Sequence, residues 1–122
     1  MQLLHLRGRK ICDRVLRKGF VWKGRTMVVR WLPGPPPHPL VDRSLPALYA
    51  GTLTSAKLDK SAVRRNRMRR RCREALRIAL KNGIETPTAQ LLLCPRSASL
   101  SAPFESLQDD IRAFLSTLSR HG

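Results

Sequence analysis

The sequence predicts an α+β domain, a two-layer α/β sandwich with the element order αβββαβα. Two observations carry this prediction. Apolar residues recur at helical spacing in three segments, and four shorter segments are rich in strand-forming residues. A chain of 122 residues is long enough to bury one hydrophobic core, so we expect a single domain over residues 1–122.

The first half of the chain predicts one helix, two strands and a stiff connection. Residues 7–18 are expected to form the helix, which ends at Gly19. Its apolar stripe consists of Ile11, Cys12, Val15 and Leu16. Residues 20–22 and 26–32 predict two short strands. The proline-rich residues 33–39 fit neither a helix nor a central strand, so we interpret them as a rigid connection, with a polyproline ligand as the alternative.

The second half predicts the remaining elements in the order strand, helix, strand, helix. They are residues 48–55, 61–81, 89–94 and a last helix that opens at residue 101. The long helix has Asp59 or Ser61 as its N-cap and stops at Gly83. The apolar face of the last helix is formed by Phe104, Leu107, Ile111, Phe114, Leu115 and Leu118.

The positive charge of the chain is large and unevenly spread. Lys and Arg number 24 against 8 Asp and Glu, which gives a net charge of +16. Residues 1–83 hold 21 of the basic residues and 4 of the acidic ones, whereas residues 84–122 are nearly neutral. Such a charge costs self-repulsion and fits a polyanionic partner that binds the first two-thirds of the chain.

The long helix carries the densest part of this charge. Residues 60–73 read KSAVRRNRMRRRCR, with eight basic residues, seven of them Arg, and no acid. On a helix, one narrow apolar face is formed by Met68, Cys72, Ala75, Leu76 and Ala79. The opposite side carries Asn66, Arg67, Arg70, Arg73 and Arg77, and the flanks carry Arg64, Arg65, Arg69 and Arg71. Because guanidinium groups grip phosphate in pairs and stack on bases, this choice of residue indicates nucleic acid.

RNA is a better match than DNA. A helix-turn-helix needs a short helix directly before the basic one, and a strand precedes it here. A basic leucine zipper needs heptads after the basic region, and the chain turns instead at Asn82 and Gly83. A basic helix at a membrane surface is disfavoured because the apolar face is narrow and lacks aromatic residues.

Other classes of function lack their signals. The sequence contains neither an apolar run long enough to cross a membrane nor the pattern of a secretory signal peptide. Cys12, Cys72 and Cys94 form no CxxC pair, so a reducing, cytoplasmic location is expected. The histidines are scattered without triad or ligand spacing, and neither a protein metal site nor a protein catalytic residue is expected.

The basic helix resembles the signature of one family. Arg65-Asn66-Arg67, within AVRRNRMRRRCREALR at residues 62–77, resembles the RNR motif of the bacterial ribonuclease P protein subunit. The size of the chain, the first helix ending at a glycine and the segment at residues 94–98 are similar to the family as well. The resemblance implies a ribosomal-protein-like sandwich in which a left-handed βαβ crossover carries the RNR helix.

The resemblance also implies an activity. Ribonuclease P is an endonuclease, a hydrolase that removes the 5′ leader of precursor tRNA, and its RNA subunit does the chemistry with Mg²⁺. The protein subunit binds that catalytic RNA and the leader. The residues implied to face the catalytic RNA are Lys60, Arg64, Arg65, Asn66, Arg67, Arg69, Arg70, Arg71 and Arg73. Mg²⁺ would act through the RNA subunit and the substrate, with no membrane or DNA partner.

The leader-binding cleft departs from the family pattern. Aromatic residues that the family usually places on the first helix and the second strand are replaced by Cys12, Leu16 and Arg30. With Arg14 and Arg17, these residues are the candidate cleft set. We expect less base stacking here and more contact of arginine with phosphate or base. Trp22 and Trp31 are either relocated stacking groups or core residues.

Two other functions fit parts of the sequence. A structural RNA-binding protein, such as a ribosomal protein, would share the charge without needing a leader cleft. A stand-alone nuclease would need an acidic active site, and the adjacent Asp109 and Asp110 diverge by about 100° on a helix. The sequence therefore favours a protein subunit that completes an RNA enzyme.

Overall fold

Five strands and four helices make up the computed structural model, which describes residues 1–121; Gly122 and the His121 side chain lie outside the described part. The strands are β1 (Gln2–His5), β2 (Phe20–Lys23), β3 (Met27–Pro33), β4 (Ala47–Thr52) and β5 (Ala89–Pro95). The helices are α1 (Arg9–Lys18), α2 (Ala62–Lys81), α3 (Ala98–Ser101) and α4 (Phe104–His121). All five strands belong to one mixed sheet in the order β1-β4-β5-β3-β2.

The α+β class is confirmed, and the order αβββαβα is found with two short elements added. The first addition, β1, is an edge strand that pairs in parallel with β4, where Leu3 lies opposite Leu48. The Leu6 N–H continues this pairing by donating to the Ala50 carbonyl oxygen at 3.1 Å. The second addition, α3, is a single turn between β5 and α4. Neither is long enough to show a periodic pattern, and β1 depends on a partner more than forty residues away.

The predicted crossover joins β4 to β5 through α2. The two strands are direct neighbours and run parallel, with Ala50 opposite Leu91. A parallel pair cannot be joined by a tight turn, so the chain must cross over one face of the sheet, and α2 makes that crossing. The left-handed sense of the crossover stays a prediction from the family resemblance.

Helices cover both faces of the sheet. In β5, Leu91 and Leu93 belong to the main core with α2 and α4, while Leu92 between them belongs to a smaller core with Val15 of α1. This alternation is the period of a strand buried on both sides. The predicted two layers are therefore the sheet with α2 and α4, and α1 adds a partial cover on the opposite face.

The two tryptophans pack in the main core. Trp31 is 3% exposed, and its ring lies 6.2 Å from the ring of Phe114 of α4. Trp22 makes an edge contact with the same ring at 5.8 Å. Both lie on the face opposite α1, so the core interpretation of Trp22 and Trp31 is confirmed and the relocated stacking role is not supported.

The proline-rich segment connects β3 to β4, as predicted. The Gly34 N–H donates to the Thr88 carbonyl oxygen at 2.9 Å, and Gln90 Nε2 donates to the carbonyl oxygens of Gly34 and Pro35 at 3.4 Å. These contacts fasten the connection to the start of β5. Among residues 1–121, no helix has the length and the apolar character needed to span a lipid bilayer.

Candidate nucleic-acid interface

The basic helix α2 begins at a well-formed cap. Ser61 is the N-cap, and its Oγ accepts a hydrogen bond from the Arg64 N–H at 3.2 Å. Asp59 Oδ1 in turn accepts from the Ser61 N–H at 2.8 Å. No glycine or proline interrupts residues 62–81, so the helix runs for 20 residues.

The predicted apolar face of α2 is buried, which fixes the orientation of the basic residues. It consists of Met68, Cys72, Ala75, Leu76 and Ala79, each at most 7% exposed, and Leu80 extends it. Burial raises the pKa of the Cys72 thiol to about 12, so the thiol stays neutral and behaves as a small apolar group.

Four cations of the predicted set face solvent just before α2 and along its N-terminal half. They are Lys60, Arg64, Arg67 and Arg70. Arg64 forms an ion pair with Asp59 at 3.2 Å, and its side chain stays 60% exposed. Within residues 1–121, the side chains of Arg67 and Arg70 make no hydrogen bond or ion pair. Their guanidinium groups are therefore available to a phosphate.

Other arginines of the set brace α2 against β4 and against the segment that joins β4 to α2. Arg65 Nη1 donates to the Asp59 carbonyl oxygen at 2.6 Å, and Arg69 Nη1 donates to Thr54 Oγ1 at 2.5 Å. Arg73 Nη1 donates to the Ala50 carbonyl oxygen at 3.1 Å, and burial lowers the pKa of Arg73. Asn66 lies between them and is half-buried. Each guanidinium keeps further N–H groups for a ligand.

Arg71 has a different environment from the other arginines of α2. Its Nη1 donates to the carbonyl oxygens of Ser99 and Leu100 at 2.9 and 2.8 Å, and its Nη2 donates to that of Ala102 at 2.7 Å. These carbonyl groups lie in and just after α3. Arg71, predicted to face the catalytic RNA, therefore holds α3 against α2, a contact that sequence reasoning missed.

A second basic surface lies on the opposite face of the sheet. A groove of about 690 Å³ runs between α1, the strands β3 and β5, and the segment at residues 53–58. Its apolar side chains include Leu16, Val28, Leu53, Leu58 and Cys94. Its charged side chains are Arg25, Arg30 and Arg96, and no acidic residue lines it. We call it the arginine cleft.

Two of the predicted cleft residues line the arginine cleft. Leu16 of α1 forms one wall, and Arg30 of β3 lies on the floor, where its Nη1 donates to the Leu16 carbonyl oxygen at 3.4 Å. Cys12 of α1 packs instead against the smaller core, with its Sγ 3.8 Å from the Leu6 carbonyl oxygen. Arg14 and Arg17 are exposed on α1 without lining the cleft.

Arg25 and Arg96 are cleft residues that the sequence reasoning missed. They follow different strands, and the β3–β5 register brings them together, since Met27 lies opposite Pro95. Arg96 Nη1 donates to the Gly24 carbonyl oxygen at 3.1 Å, which ties the two turns to each other. The only signal in the sequence was a basic residue after Gly24, just past the end of β2, and another directly after Pro95, the last residue of β5.

Two pKa shifts show how the positive charge is concentrated. The Arg73 guanidinium lowers the pKa of His5 at the end of β1, with smaller contributions from burial and Arg7. In the cleft, burial raises the pKa of the Cys94 thiol, and the nearby Arg30 opposes that rise. At both positions the nearby arginine acts to lower the pKa, as expected where the local potential is positive.

The two basic surfaces are joined by one segment of the chain, residues 53–58. Thr54 lines the arginine cleft, and its Oγ1 is the acceptor of the Arg69 hydrogen bond from α2. The segment at residues 53–58 is thus both a wall of the cleft and the entry to the basic helix. A single nucleic-acid complex can meet both surfaces at this segment.

Solved structures share this fold. The RNase P protein from Thermotoga maritima superposes with a TM-score of 0.71 at 19% sequence identity, covering 93% of this chain and 96% of that one. The RNase P protein of Staphylococcus aureus gives a TM-score of 0.67 at 18% identity, covering 93% of each chain.

Curated relatives match most of this chain but are longer. The ribonuclease P protein component of Thermus oshimai is 37% identical over 98 residues, which is 80% of this chain and 54% of the relative. That of Thermus aquaticus is 35% identical over 113 residues, which is 92% of this chain and 59% of the relative. The chain therefore spans little more than half the length of these relatives.

The family resemblance of the basic helix extends over almost the whole chain. The family model described as Ribonuclease P matches residues 2–119, which include α2, the arginine cleft and the core of the sheet. Together with the relatives that are more than 30% identical, this match shows that the chain belongs to the ribonuclease P protein family.

Proposed function

We propose that this chain is the protein subunit of a ribonuclease P, which binds the catalytic RNA and the 5′ leader of precursor tRNA and supports removal of the leader. The observation that supports this proposal most strongly is the pair of basic surfaces that meet at residues 53–58. One is a convex helix with unpaired guanidinium groups at Arg67 and Arg70, and the other is an open cleft without acidic lining. The family membership supports this assignment.

The convex surface suits a folded RNA. Arg64, Arg67 and Arg70 project from α2, and Lys60 projects from the segment just before it. These exposed cations can contact phosphates without moving the core. The bracing bonds of Arg65, Arg69 and Arg73 hold the helix in place, so little order has to be gained on binding. We therefore assign this surface to the catalytic RNA.

The arginine cleft suits a single strand. Its floor and walls are apolar enough to receive bases, while Arg25, Arg30 and Arg96 can follow the backbone or stack on a base face. None of the described side chains that line it is aromatic. We assign it to the leader, and propose that guanidinium groups provide part of the base stacking that aromatic rings provide in other single-strand clefts.

In this proposal the chemistry belongs to the RNA. Mg²⁺, held by RNA and substrate phosphates, supplies the activation of water and the stabilisation of charge. Asp59 lies just before the N-terminus of α2, and its oxygens already bind the Ser61 N–H and Arg64. The protein's own part is to bind, orient and neutralise phosphates. The proposed place of action is the cytoplasm.

The test is removal of the 5′ leader from a precursor tRNA by a bacterial ribonuclease P RNA, measured with and without this protein at low Mg²⁺. Protein cations replace part of the Mg²⁺ that compacts the RNA, so we expect stimulation that is largest at low Mg²⁺ and absent when the RNA subunit is omitted. Cleavage by the protein alone would identify a nuclease. RNA binding without stimulation would identify a structural RNA-binding protein and overturn the proposal.

A further inference from the structure

A second groove lies away from the arginine cleft, between α2 and the first residue of α4. It has a volume of about 450 Å³ and is lined by Arg70, Arg71, Arg73, Glu74, Arg77 and Phe104. This volume falls within the range of about 300–1,000 Å³ found for sites that take small organic ligands. We call it the Phe104 groove.

The groove combines an aromatic ring with exposed cations. Phe104 is half-buried: part of its side chain packs on the main core, and the rest lines the groove. Arg70 and Arg77 are exposed on α2 at one rim. An accessible ring beside guanidinium groups is the combination that receives an unstacked base together with its phosphate.

The groove also contains a hydrogen-bond acceptor. Glu74 accepts from Arg77 Nε at 3.0 Å, and this contact lowers the pKa of the Glu74 carboxyl. The carboxylate oxygens can accept further hydrogen bonds from the amino or imino groups at the edge of a base.

The position of Phe104 is fixed by Arg71. The guanidinium of Arg71 holds the backbone carbonyl groups of Ser99, Leu100 and Ala102, just before Phe104 in the chain. The ring is thereby set beside α2 before any ligand arrives. A preorganised ring loses little conformational freedom on binding.

We propose that the Phe104 groove receives one unstacked nucleotide of the RNA that α2 binds, with its base against Phe104 and its phosphate near Arg70 and Arg77. This inference rests on the proposed function. It adds a contact that reads a particular unpaired nucleotide, whereas the exposed arginines alone read only the phosphate backbone.

The test compares Phe104→Leu, which keeps an apolar side chain, with Phe104→Tyr, which keeps the ring. The probe is the ribonuclease P RNA used for the cleavage assay. Stacking of one base on an aromatic ring is worth about 5- to 150-fold in affinity. We expect Phe104→Leu to weaken binding within that range and Phe104→Tyr to bind as the wild type does. Chemical probing should show one nucleotide that loses its protection in the Phe104→Leu complex alone.

A second measurement uses the wild-type protein and does not depend on how the variants fold. Ultraviolet irradiation of the complex should cross-link the peptide containing Phe104 to a single nucleotide. Unchanged affinity and footprint for a folded Phe104→Leu variant, or no cross-link at this peptide, would overturn the nucleotide groove and leave the proposed function standing. Failure of the wild type to bind the RNA would overturn both.

Discussion

Arg71 Nη2 donates a hydrogen bond to the Ala102 carbonyl oxygen at 2.7 Å, and this contact separates the arginines of one helix into two kinds. Arg71 completes the backbone hydrogen bonding at the end of α3, whereas Arg67, four residues earlier, has no partner within the described part of the chain. A helical projection places Arg67 opposite the apolar face and Arg71 on its flank, and both positions are compatible with RNA contact. The difference is whether a carbonyl group lies within reach.

Arg71→Ala is expected to destabilise the fold. The substitution removes three charge-assisted hydrogen bonds and leaves carbonyl groups near α3 unpaired. Hydrogen bonds to charged groups are worth about 1.5–3 kcal/mol, so we expect a loss of at least that size in the free energy of unfolding. Urea denaturation measures it. Arg67→Ala is the matched control and should stay within about 0.5 kcal/mol of the wild type. Equal stability of both variants would contradict the bracing role.

Arg67→Ala and Arg70→Ala are expected to weaken binding of the catalytic RNA while the circular dichroism spectrum stays unchanged. Both guanidinium groups are exposed and without partners in residues 1–121, so each loss removes a phosphate contact rather than a packing contact. The slope of log affinity against log salt should fall by about 1 for each substitution. A lowered melting temperature with an unchanged salt slope would mean that these residues face the core.

Leu16→Phe is expected to strengthen binding of the 5′ leader. Leu16 lines the arginine cleft, and the family resemblance implies an aromatic residue at this position, so a ring there can stack on a base. One stacked base is worth about 1–3 kcal/mol. Fluorescence anisotropy with a single-stranded leader oligonucleotide, in the complex with the catalytic RNA, measures the change. Leu40→Phe, at an exposed site outside the cleft, should have no effect. If the two variants behave alike, the leader does not occupy this cleft.

The pKa of His5 should respond to Arg73. Arg73 is the largest cause of the lowered pKa of His5, ahead of burial and Arg7. Arg73→Ala should therefore raise the pKa of His5 towards its usual value of about 6.5, and Arg7→Ala should raise it less. Nuclear magnetic resonance titration of the imidazole protons follows both. Bound RNA should also raise this pKa, because phosphate charge offsets the arginines. A value insensitive to Arg73→Ala would place Arg73 elsewhere.

Cys72 should be inert to alkylation in the folded protein at pH 8. The thiolate is the reactive form, and burial raises the pKa of Cys72 from 9.0 to about 12. Mass spectrometry after iodoacetamide treatment should find Cys72 modified only once urea unfolds the chain.

The raised pKa of Cys72 also makes stability depend on pH, because the unfolded chain releases the thiol proton at lower pH than the folded one. The contribution of Cys72 to the free energy of unfolding is full below pH 9 and is lost as the pH rises towards 12. Cys72→Ala should therefore lose less stability than the wild type over this pH range.

Sequence periodicity predicted the elements that are long enough to display it. The apolar face of α2, from Met68 to Ala79, is buried as expected because a helix repeats its pattern several times in twenty residues. The strand β1 was not predicted, because four residues carry no decisive pattern and its partner β4 lies far along the chain. Strand pairing at that distance depends on the whole sheet.

The candidate site was predictable in its charge and less so in its geometry. The RNR segment located the convex surface, and Leu16 and Arg30 were placed in the cleft from the family pattern. Arg25 and Arg96 were missed because they meet only through the β3–β5 register. Cys12 was predicted to line the cleft, but its side chain packs against the smaller core on the buried side of α1. A projection of one helix shows which residues share a side but not what lies opposite them.

The most direct measurement compares the affinity of the catalytic RNA for a precursor tRNA and for the mature tRNA, each with and without this protein. If the arginine cleft holds the leader while α2 holds the catalytic RNA, the protein should raise the affinity for the precursor more than for the mature tRNA. An equal gain for both substrates would contradict leader binding, and no gain for either would contradict the subunit role.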